Sequence, residues 1–120
     1  SNLNEALLRQ VDRLLLTIEA TPVALQMANI LLKQLEQFID RKFISVVVVQ
    51  RTLSTLQTPW PEIENRLQCE VLAMIAASPD LVVRAMQQKT AMVLLDPSAR
   101  VSGQFTKLAE DLKQRIHTIA

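Results

Sequence analysis

"FISVVVVQRT", residues 43–52, is the stretch on which the reading of this chain turns. Ile44 and the four successive valines Val46, Val47, Val48 and Val49 are β-branched, the stiff residue type enriched in strands. A strand carries backbone donors and acceptors that need neighbours, and leaving them unpaired in a core is costly. No other segment reads as a convincing partner, and the preceding "DRKF" with its glycine-poor flanks supplies no hairpin turn. As a helix, Phe43, Val46, Val49, Leu53 and Leu56 recur at intervals of three and four along one face. β-branching costs a helix only about a few tenths of a kcal/mol per residue, which tertiary burial overrides. The expectation is therefore a helix, with an edge strand as the alternative.

That helix would have no polar face. Four valines at about 100° each cover most of the wheel, and Arg51 is the charge within it. A helix apolar all round is buried all round. Either neighbouring helices cover every side of it, or part of it is a docking or self-association face.

The composition frames this reading. With 49% hydrophobic and 21% charged residues in 120, the chain is a single folding unit and not a disordered one. Thirteen basic and twelve acidic residues leave a net charge of +1, with no cationic run to attract nucleic acid or an anionic membrane. Three phenylalanines and one tryptophan make no stacking platform for bases. The longest uncharged stretch, residues 20–32, is too short to span a bilayer. The lone Cys69 excludes an internal disulfide and suits a reducing compartment, so an intracellular location, cytoplasmic or nuclear, is expected. The chain opens Ser1-Asn2 without an initiator Met, which suggests a domain (residues 1–120) excised from a larger protein.

One glycine, Gly103, argues against a sheet joined by tight turns, so the punctuation falls to proline. Thr21-Pro22, Ser78-Pro79 and Asp96-Pro97 each set a capping residue before a proline at the first helical position. Thr58-Pro59-Trp60-Pro61 does the same, with Glu62 and Glu64 favouring the positive helix end. These signals predict six helices over residues 3–19, 22–40, 42–57, 61–77, 79–95 and 97–119. Helical stripes support them: Leu3, Leu7, Val11, Leu14 and Ile18 in the first, and Val101, Phe105, Leu108, Leu112 and Ile116 in the last. Helix 22–40 carries a much wider apolar arc than one buried face needs.

Pro22, Pro59 and Pro97 are spaced by 37 and 38 residues, as three stacked helical hairpins would be. In a second frame, "EIENRLQCEVLAMIAASPDLVVRAMQQKTAMVLLDP" (residues 62–97) resembles a HEAT repeat: an apolar helix, a Ser-Pro-Asp hinge, then Val83-Arg84-Ala85. Residues 5–35 have the same rhythm without the Val-Arg pair or the hinge aspartate. The resemblance implies an all-α array of about six antiparallel helices, a HEAT-like α-solenoid or compact bundle. The two frames pair the helices differently.

Catalytic chemistry is hard to find. His117 stands alone, without a second histidine or a nearby cysteine for a metal. Cys69 reads as a small buried hydrophobe. Glu62, Glu64 and Glu70 lack the Glu-x-x-His companion of carboxylate metal sites. There is no glycine-rich phosphate loop and no Gly-x-Ser-x-Gly elbow. No catalytic, cofactor or metal residue is assigned, and the chain reads as non-enzymatic. The expected function is a protein–protein interaction module of an intracellular scaffold, presenting a groove between helices to a partner peptide or helix. The alternative is a self-associating helical homodimer. Trp60, either a core anchor or a binding hot spot, is placed at such a surface together with Lys33, Arg66 and Val48.

Overall fold

The valine run is a strand. In the structure, a computed structural model that describes residues 2–50, 58–76 and 78–119, Ile44–Val49 forms β2, the middle strand of a three-stranded parallel sheet. Its neighbours are β1, Leu14–Ile18, and β3, Glu70–Ile75. Leu16 sits opposite Val46 and Ile18 opposite Val48, while on the other side Val46 faces Val71 and Val48 faces Met74. The register shifts between Val46 and Val47, so that Leu72 is the extra residue of β3. The part of the expected third helix over residues 51–57, with Arg51, Leu53 and Leu56, lies outside the described residues.

The all-α expectation and the HEAT resemblance are thereby corrected: this is an α/β chain. The helices are α1 (Asn2–Gln10), α2 (Pro22–Leu35), α3 (Trp60–Leu67), α4 (Pro79–Gln87), α5 (Met92–Leu95) and α6 (Arg100–Ile119). A short 3-10 turn, Arg41–Phe43, leads into β2 and is capped by the Asp40 carboxylate, which accepts from Lys42 N–H at 3.1 Å. Two of the expected helices each contain a helix and then a strand: residues 3–19 hold α1 and β1, residues 61–77 hold α3 and β3.

Parallel strands buried on both faces read as continuous apolar runs and do not alternate. "LLLTI", "ISVVVV" and "EVLAMI" are such runs, and each supplies the partner that the others seemed to lack. Strand alternation divides the core into two layers. On one face Val46 and Val48 pack with Leu25, Ala28 and Leu32 of α2 and with Ile63 and Leu67 of α3. On the other, Val47, Ala73 and Ile75 meet Leu81 of α4 and Val101 of α6.

Proline punctuation marked the starts of α2, α3 and α4 but not of α6, which begins at Arg100, with Asp96 closing α5 instead of capping a helix at Pro97. Thr21 caps α2, its Oγ1 accepting from Ala24 N–H at 3.2 Å, with Pro22 next. Pro79 opens α4 after Ser78. The glycine argument failed because parallel strands are joined through helices and need no two-residue turns. Among the described residues, the two left-handed positions that would normally advertise themselves as glycine are filled by Gln68 (φ 53°) and Lys89 (φ 52°).

Candidate functional site

Each helix following a strand runs back antiparallel to it, so the helix N-termini gather at the carboxyl ends of the strands. β1 runs out through Glu19 and the buried Ala20 into the Thr21 cap of α2. β2 runs out at Gln50, whose N–H donates to Ile75 O at 2.9 Å. β3 runs out at Ala76, whose N–H donates to Oε1 of Gln104 at 2.8 Å, before Pro79 opens α4. Thr58, buried just ahead of α3, donates its N–H to Ala20 O at 3.0 Å and binds the entrance of α3 to that of α2. Three N-terminal helix ends, each carrying partial positive charge from unsatisfied N–H groups, therefore share one end of the sheet. This is the edge at which open α/β sheets bind ligands, and helix N-termini there suit anionic groups.

Beside this edge a groove of about 720 Å³ follows β1 from Leu16 to Glu19 and α2 from Ala24 to Gln34. Its walls are largely apolar, with Met27, Ile30 and Leu31 along the helix side.

The amino ends of the strands are chemically different. Arg13, Arg41, Lys42 and Arg115 meet Glu64 and Glu70 around a second, polar cavity of about 510 Å³. Its charges are largely committed internally. Arg115 Nε donates to Glu70 Oε1 at 2.7 Å, and Arg41 donates from Nη1 to Leu67 O at 2.6 Å. Arg41 Nε also lies against Glu36 Oε1, close enough for an ion pair but not aligned as a hydrogen bond. Burial raises the pKa of the Cys69 thiol here, the nearby Arg41 guanidinium opposing that shift and Glu36 adding to it. No group of three His, Cys, Asp or Glu side chains suited to a metal ion occurs among the described residues. Its ion pairs tie Arg41 to the end of α2 and Arg115 of α6 to the start of β3.

The four residues expected at a partner surface fall on three elements. Val48 is fully buried in the central strand and offers nothing to a surface ligand. Lys33 is exposed in the last turn of α2. Trp60 opens α3 and is half-buried against the core, while exposed Arg66 pairs with Glu62 at 2.8 Å one turn away. The sequence reading missed Glu19 and Gln50 at the carboxyl edge. The signal was present as "LLLTIEATP", an apolar run leading directly into a helix cap, which is the outline of a strand-to-helix turn.

No protein-family model matches this chain, and no curated protein matches it. Solved structures do. The MinD cell division protein of Aquifex aeolicus superposes with a TM-score of 0.73 at 18% identity, over 89% of this chain and 46% of that one. A MinC:MinD cell division protein complex of the same organism gives 0.72 at 18%, over 87% and 43%. A ParA family ATPase from Chlorobium tepidum TLS gives 0.71 at 17%, over 93% and 45%. The shared property is the fold. This chain spans less than half the length of each of these structures. The expectation of a non-enzymatic helical scaffold is corrected with the fold on which it rested: the chain is α/β, and one of the structures sharing its fold is an ATPase.

Proposed function

We propose that these 120 residues form one half of a nucleotide-binding α/β domain of the MinD and ParA kind, and that its ligand edge is the carboxyl end of β1 and β2. The observation that carries the reading is the parallel sheet with three helix N-termini gathered at that end, in a chain that superposes on an ATPase over 93% of its length. Glu19 and Gln50 follow directly on β1 and β2 at that edge and would line its rim. The chain has one glycine, within α6, and no glycine-rich loop, so phosphate binding and hydrolysis fall to groups outside residues 1–120. Its own share is the wall of the site and the positive helix ends. One of the similar structures is a complex with a protein, MinC, which supports a protein partner for this chain as well.

The test is equilibrium titration of fluorescent ATP and ADP analogues into the protein at its natural length, in parallel with residues 1–120 alone. Saturable, magnesium-dependent binding to the natural-length protein, with none to residues 1–120, is expected. Absence of binding to the natural-length protein at millimolar nucleotide would sink the proposal.

A further inference from the structure

Two of the four cations around the polar cavity at the amino ends of the strands have no carboxylate partner among the described residues. Arg115 is held by Glu70 and by Asp111 O, and Arg41 by Glu36 and Leu67 O. Arg13 has only a hydroxyl, its Nη1 donating to Ser45 Oγ at 2.8 Å, while its Nε is sealed from solvent without a hydrogen bond. Lys42 sets its ammonium over the ring of Phe43, 5.1 Å from the centroid. A ring face attracts a cation without neutralising it.

A charge partly withdrawn from water is costly unless an anion accompanies it. Arg13 is half-buried, and it cannot swing out into solvent without stranding the fully buried Ser45 hydroxyl. The fold therefore keeps a cation on the cavity wall. The carboxylates beside it do not neutralise it. Glu70 is spent on Arg115, and Glu64 Oε2 accepts from the backbone N–H of Val71 at 3.0 Å, which fixes that side chain to the start of β3.

We propose that this cavity binds a small organic acid, whose single carboxylate is held between Arg13 and Lys42. A carboxylate accepts through two oxygens, which suits a guanidinium with its Nη2 uncommitted and an ammonium beside it. The volume of about 510 Å³ leaves room for the carbon body of the acid, and buried Ile44 and Cys69 give that body an apolar wall. Glu64 and Glu70 on the same walls repel additional negative charge, so a monoanion is favoured over a phosphate dianion. The site lies at the opposite end of the sheet from the carboxyl edge, and it stands whether or not that edge binds a nucleotide.

The experiment is amide NMR titration of the protein at its natural length with butyrate, its neutral isostere butyramide, inorganic phosphate, and tetra-alanine with a free C-terminus. Butyrate should give saturable shifts at the amides of Arg41–Ile44 and Gln68–Glu70, and butyramide none. Lys42 is exposed, so its replacement leaves the fold intact. Lys42→Gln should weaken butyrate roughly tenfold, the loss of one charged hydrogen bond, and Lys42→Arg should restore most of that affinity. No saturable shift with butyrate, equal shifts with butyramide, or unchanged affinity in Lys42→Gln overturns the proposal. Tighter binding of phosphate at the same amides would make the ligand a phosphate, and binding of tetra-alanine without butyrate would assign the carboxylate to a protein chain end. Either result also overturns the small-acid assignment.

Discussion

Arg13 Nη1 donates to Ser45 Oγ at 2.8 Å, joining the residue that precedes β1 to the start of β2 across 32 positions of sequence. Ser45 is fully buried, a polar group inside an otherwise apolar strand, and Arg13 Nε is sealed from water without a hydrogen-bond partner. The hydroxyl therefore meets part of the bonding need of a half-buried guanidinium while setting the β1–β2 register. Ser45→Ala should destabilise the chain by about 1–3 kcal/mol, the range for stranding a buried polar partner. Urea unfolding should show a lower midpoint with an unchanged slope.

Val48 and Lys33 separate two readings of the same sequence. Val48→Asp places a charge in the central strand between two covered faces, and such burials cost about 4 kcal/mol or more, a large share of a domain's stability. The variant should fail to give a cooperative melt. Lys33→Ala, on an exposed turn of α2, should stay within about 0.5 kcal/mol of the parent. A folded Val48→Asp protein with an ordinary melting curve would count against the sheet.

Gln104 offers a sharper probe of how β3 ends. Gln104→Ala leaves the half-buried Ala76 N–H without its acceptor and should cost about 1–3 kcal/mol. Gln104→Glu keeps the acceptor oxygen and should recover most of that loss. Denaturation midpoints for the pair distinguish loss of the bond from loss of side-chain packing, because packing would not return with the carboxylate.

The raised pKa of Cys69 has a consequence in alkaline solution. A thiol whose folded pKa lies above its usual 9.0 binds its proton more tightly in the folded state. The stability this contributes is present below pH 9.0 and is lost as pH rises through the higher folded value. Iodoacetamide should therefore label Cys69 slowly at pH 8 in the native protein and rapidly once the chain is unfolded in urea. Equal rates in both states would contradict its burial.

Part of this architecture was open to reading from the sequence. Thr21-Pro22 marks a helix start through a side-chain cap and a fixed φ, and Ser78-Pro79 through the proline alone; both are local effects, legible within four residues. The strands were not legible, because their evidence is mutual. "LLLTI", "ISVVVV" and "EVLAMI" each look equally like a turn of buried helix, and only their pairing across 25 to 30 residues removes the ambiguity. The glycine count misled for a related reason. It reports on tight hairpin turns, and this chain joins its strands through α2 and α3. Of the candidate site, the wide arc of α2 was visible, but its meaning depended on β1 being a strand. Glu19 and Gln50 drew no notice, since neither belongs to a motif and their significance is positional.

The measurement that tests the central claim most directly is amide hydrogen exchange of the natural-length protein with and without magnesium ATP, resolved to the ends of the strands. Nucleotide bound at the carboxyl ends should slow exchange at Glu19–Thr21, at Gln50 and at Ala76, and leave Arg41–Phe43 and Cys69 at the amino ends unchanged. Protection confined to the amino ends, or none at either end under saturating nucleotide, would contradict the assignment of this α/β chain to a nucleotide site.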